Sequence, residues 1–105
     1  MREGARRKML DRATYERLCI EACENPEERV EGETSEDACW RTVCEKVSAY
    51  LGASIERVED AGEQSPGDSY RRALRRMVEA AQTEYFDALE IPEKYVKEIL
   101  SKTGG

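Results

Sequence analysis

The sequence predicts an all-α protein, a small bundle of four to five helices containing a disulfide-stapled antiparallel helical hairpin. Three observations lead there. Apolar residues recur at helical spacing in several segments, and no stretch alternates with period two for more than a few residues. Capping residues precede those segments, and Gly or Pro follows them. Four cysteines fall into two pairs, each spaced about one helical turn apart. The expected organisation is a basic N-terminal arm over 1–10 and a single helical domain over 11–105. Within that domain the hairpin takes 11–51, a linker 62–68 and C-terminal helices 69–102.

The first helix is expected over 11–25. Tyr15, Leu18, Cys19, Ala22 and Cys23 fall on one helical face. Pro26 follows Asn25 and ends it. The polar stretch 26–34, with Gly32, reads as a loop. The second helix is expected over 35–51. Thr34 or Ser35 can cap it, Glu36 and Asp37 suit its positive end, and Gly52 can stop it. Trp40, Val43, Cys44, Val47 and Leu51 form its apolar stripe, with Trp40 read as core. A short third helix is expected over 55–61, then the Gly- and Pro-containing linker. The fourth is expected over 69–90, with Tyr70, Leu74, Met77, Ala81, Tyr85 and Ala88 on one face. A last helix over 92–102, with Pro92 in its first turn, would bury Tyr95, Val96, Ile99 and Leu100.

The core is thin. Only 17 of 105 residues are Leu, Ile, Val or Phe, while 38% are charged and the net charge is −6. An aliphatic share below about 20% leans towards disorder. Something beyond simple burial is therefore expected to hold the fold. The acidic total argues against broad coating of nucleic acid. No apolar run has membrane-spanning length, and the charged start lacks an apolar signal region. The expected location is cytoplasmic, with no membrane partner.

The cysteines follow the pattern C-x3-C, fifteen residues, C-x4-C: Cys19, Cys23, Cys39 and Cys44. Facing residues of an antiparallel hairpin keep a nearly constant index sum. The pairs Cys19–Cys44 and Cys23–Cys39 satisfy this. The crossed alternative would skew the helices by more than a turn at each rung. Bridges within one helix are poorly aimed. Nested bridges would each contribute roughly 3 kcal/mol in the chain-entropy model. The spacing resembles the twin C-x3-C hairpin of the small Tim chaperones of the mitochondrial intermembrane space. That likeness runs from Cys19 to Cys44. The second pair departs from it with C-x4-C, and the chain continues for about sixty residues, so the resemblance implies a shared clamping device. Two other readings stay open: the four thiolates as ligands of a zinc ion or iron–sulfur cluster, and four buried free thiols. Disulfides without secretion point to a hyperthermophilic archaeon or its virus. One Asn, two Gln and abundant Glu and Arg point the same way.

Arg71, Arg72, Arg75 and Arg76 lie opposite the apolar stripe of the fourth helix. With Arg6, Arg7 and Lys8 of the arm they form a candidate phosphate or nucleic-acid contact. The plain alternative is a solvated face, with Arg75 paired to Glu79. Docking onto an acidic partner, including a second copy, is a third use. A helix-turn-helix over 88–101 would present Glu93 and Glu98 beside Lys94 and Lys97, a poor surface for a groove lined with phosphate. No His is present, and both the P-loop and GxGxxG patterns are absent, so no catalytic residue and no cofactor are assigned. The expected function is a non-enzymatic helical interaction module, with a protein partner or self-association. A small nucleic-acid-binding protein is the alternative, and a thiol-redox or metal protein the third.

Overall fold

The structure, a computed structural model, describes residues 9–55, 66–83 and 87–102. In chain order these form β1 (Met9–Leu10), α1 (Arg12–Glu24), α2 (Ser35–Leu51), α3 (Pro66–Ala80), β2 (Gln82–Thr83) and α4 (Glu90–Lys102). The architecture is a mostly helical bundle, as the periodicity predicts. Helix α2 lies at its centre and touches α1, α3 and α4, while α1 also packs on α4.

Both hairpin helices form where the sequence places them. The Asp11 side chain accepts from Thr14 N–H and caps α1. Asn25 ends that helix, its N–H donating to the Glu21 carbonyl. At α2 a full capping box forms: Thr34 Oγ1 accepts from Asp37 N–H, and Asp37 Oδ2 accepts from Thr34 N–H. Gly52 closes α2 at φ 67°, a left-handed conformation that glycine adopts without a Cβ penalty.

The later elements differ from expectation. The helix expected over 55–61 and most of the linker lie outside the described residues. Residues 66–68 do not belong to a linker but open α3. Pro66 suits a first turn, and Gly67 N–H donates to Asp37 Oδ1 at 3.0 Å. One carboxylate thus serves the starts of two helices. Helix α3 stops at Ala80, ten residues before the expected end. Ala81 N–H turns back to the Val78 carbonyl, and Gln82–Thr83 then pairs in parallel with Met9–Leu10. Backbone pairing between distant segments overrides the helical periodicity that runs on towards Ala88. Helix α4 begins at Glu90, with Ile91 and Pro92 buried in its first turn.

The core gathers Leu10, Tyr15, Cys19, Cys23, Trp40, Val43, Val47, Leu74, Val78, Ile91 and Val96. Buried Tyr15 donates its hydroxyl to the Ala88 carbonyl, 73 residues away. Tyr95 donates to Glu16 Oε2 at 2.6 Å. Both bonds join α1 to the end of the chain.

Candidate functional site

All four cysteines are buried on the facing sides of α1 and α2, and all are free thiols. Cys23 and Cys39 lie close enough for one thiol to hydrogen-bond the other's thiolate. That interaction holds Cys39 below the usual thiol range and pushes Cys23 up, with burial adding to the rise. Burial also drives Cys44 up to about 12, and Cys19 rises for the same reason. Both lie near the Tyr15 hydroxyl, whose pKa rises through burial and through their charge. Protonated thiols in an apolar setting are poor nucleophiles. Among the described residues no three His, Cys, Asp or Glu side chains converge as a metal site requires.

The four arginines of α3 do not form one exposed cluster. Arg75 and Arg76 are exposed, and Arg75 Nε donates to Glu79 Oε2 at 3.3 Å, the i,i+4 pair read in the sequence. Arg72 is half-buried. Arg71 is half-buried between α2 and α4. Its Cζ stands 5.1 Å from the Trp40 ring centroid, and its Nη2 lies 2.5 Å from Glu93 Oε2. The reason is tertiary: α2 and α4 present an indole face and a carboxylate beside α3, and a guanidinium suits both. Arg6, Arg7 and Lys8 lie outside the described residues.

Between the end of α2 and the middle of α3 runs a shallow groove of about 220 Å³. Ala53, Ala73, Met77 and Ala80 give it small apolar walls, and Arg76 with Ser54 gives it a polar rim. Arg76 makes no ion pair among the described residues.

Sequence reading missed Arg41. It lies 9% exposed on α2 and binds Glu27, Glu33 and the Glu28 carbonyl. The Glu33 hydrogen bond pushes its pKa further up, and Arg41 in turn holds the Glu33 carboxyl below its ordinary range. Only its i,i+4 partner Glu45, 3.6 Å away on α2, carries a spacing signal; Glu27, Glu28 and Glu33 sit in a loop of no periodicity.

No family model matches this chain, and no similar curated protein or solved structure is found. No helix among the described residues is long and apolar enough to cross a membrane.

Proposed function

We propose that the chain is a non-enzymatic interaction module that docks an acidic polypeptide segment on the α2–α3 groove. The observation that carries this is the pairing of small apolar walls with an exposed Arg76 at the rim that makes no ion pair among the described residues. A leucine-sized side chain would enter between Ala73, Met77 and Ala80. Met77 can adapt its shape to different anchors. Neighbouring carboxylates on the partner would meet Arg76 and Arg75. High thiol pKa values at Cys19 and Cys44 fit a structural role better than a catalytic one.

The test uses a fluorescein-labelled peptide with one Leu flanked by Glu residues. Its anisotropy is expected to rise saturably with added protein. Arg76→Glu is expected to weaken binding about tenfold while the helical circular dichroism stays unchanged. Unchanged affinity in that variant removes the proposal. Retention on heparin with steep salt dependence would favour nucleic acid instead.

The hairpin is proposed to close through the nested bridges Cys23–Cys39 and Cys19–Cys44. The proximity of Cys23 to Cys39 supports the first rung. The Cys39 thiolate would attack a disulfide oxidant such as oxidised glutathione, and Cys23 would then displace the second glutathione. Two electrons pass to the oxidant, which leaves as two thiols. Burial means that local opening must precede this exchange. Intact mass after oxidation, with alkylation, reads the result: each bridge removes two hydrogen atoms and blocks two alkylation sites. Four alkylated cysteines after prolonged oxidation would remove the stapled form. The amide-poor, Glu- and Arg-rich composition supports a working temperature above the mesophile range, which thermal unfolding measures directly.

A further inference from the structure

A second cavity, of about 300 Å³, opens where α2, α3 and α4 meet. Glu36, Trp40, Arg71, Glu93, Val96 and Lys97 line it. Trp40 is 2% exposed, yet its indole Nε1–H is buried without an acceptor among the described residues. The Nε–H of Arg71 is also buried with no acceptor among the described residues. Buried N–H groups are nearly always paired, so two orphans on one cleft call for an explanation. An indole and a guanidinium can only donate. The missing group is therefore an acceptor.

Arg71 is held at Nη2 by Glu93 and lies over the Trp40 ring. The Arg71 charge offsets that of Glu93. Lys97, exposed at the edge, pairs with no acid among the described residues and adds positive charge. Glu36 at the mouth opposes a doubly charged ligand such as phosphate. Val96 supplies an apolar wall for a ligand's body.

We propose that this cleft binds a small carboxylate: a shift of the half-exposed Arg71 side chain uncovers Trp40 Nε1–H and Arg71 Nε–H to its oxygens, while Lys97 supplies long-range attraction. A carboxylate is singly charged and carries two acceptor atoms, matching two donors in one wall. A free organic acid and the C-terminal carboxylate of a polypeptide share this chemistry. The site is distinct from the α2–α3 groove, and neither reading depends on the other.

Trp40 is the only tryptophan in the chain, so its fluorescence reports on the cleft directly. Benzoate and an N-acetylated dipeptide with a free C-terminus are the two acid probes. Benzamide and the C-terminally amidated dipeptide are their neutral counterparts, and inorganic phosphate is the dianion. A saturable change in emission is expected with at least one acid and none with its amide. Response to benzoate alone assigns a free acid, and tighter binding of the dipeptide assigns a chain terminus. No response to either acid overturns the proposal and leaves water as the partner of the two donors. An equal response to the amides, or binding of phosphate as tight as that of the acids, overturns it too. Arg71→Met is expected to weaken binding at least about tenfold, with folding checked by circular dichroism. Lys97→Met, on an exposed position, is expected to weaken it about threefold and serves if the first variant does not fold. Unchanged affinity in a folded Arg71→Met protein, or in Lys97→Met, overturns the assignment.

Discussion

Arg41 shows how one side chain can organise a segment that has no secondary structure. Its Nε and both Nη atoms reach Glu33, Glu27 and the Glu28 carbonyl at 2.8 to 3.1 Å. Thr42 beside it accepts from Glu27 N–H at 2.9 Å. The loop is thereby drawn onto α2, and the side-chain carboxyl of Glu33 ends up only 3% exposed. Replacing Arg41 with Met would strand that carboxylate. The expected loss is about 2–3 kcal/mol, read from urea unfolding at neutral pH. Glu33 carries a lowered pKa, so the stability it supplies is present above its ordinary value of 4.5 and disappears as pH falls through the lowered one. The gap between Arg41→Met and the parent protein is therefore expected to narrow in acid. Tyr15→Phe is a second residue-scale test. It leaves the buried Ala88 carbonyl without its donor and is expected to cost about 1–3 kcal/mol by the same measurement. Composition identifies 26–34 as polar loop, yet it cannot show that the loop folds back on a residue eight to fourteen positions onward.

At the level of elements, the starts of α2 and α3 share Asp37. Its Oδ2 completes the capping box with Thr34, and its Oδ1 receives Gly67 N–H. The approach is so close that a Cβ on Gly67 would sit 3.1 Å from the Asp37 Cα. Gly67→Ala is expected to destabilise by about 1–3 kcal/mol, because two backbones must separate. Thr34→Ala, which removes only the local cap, is expected to cost about 1 kcal/mol. Urea midpoints compare the two variants. The contrast explains what the sequence could reveal. Thr34, Asp37 and Gly52 are local signals and place α2 correctly. The start of α3 depends on contact with a residue thirty positions back, and its end depends on pairing with β1. Periodicity carries no information about either. The same limit hid the Trp40–Arg71 stack: helical geometry placed Arg71 opposite the stripe, and only a neighbouring helix could reverse that.

For the whole molecule, alkaline pH is the informative variable. Cys19, Cys44, Tyr15 and Tyr95 all have raised pKa values, with Cys44 and Tyr95 each at about 12. Burial causes the first three, and the hydrogen bond to Glu16 causes the last. A raised folded pKa supplies stability below the unfolded value and loses it as pH rises towards the folded one. Stability of the reduced protein is therefore expected to hold up to about pH 9, where unfolded thiols begin to ionise, and to fall steadily towards about pH 12. Urea midpoints measured across that range check this. A flat profile would mean that these groups are solvated in the folded chain.

The two-rung contact between Met9–Leu10 and Gln82–Thr83 has a kinetic consequence. Closing so long a loop sacrifices chain entropy for little hydrogen bonding, so this clasp should zip up late and open early. On dilution into deuterated water, amides engaged in the clasp should exchange long before those in the middle of α2. The central helix would keep its protons until the entire chain unravels.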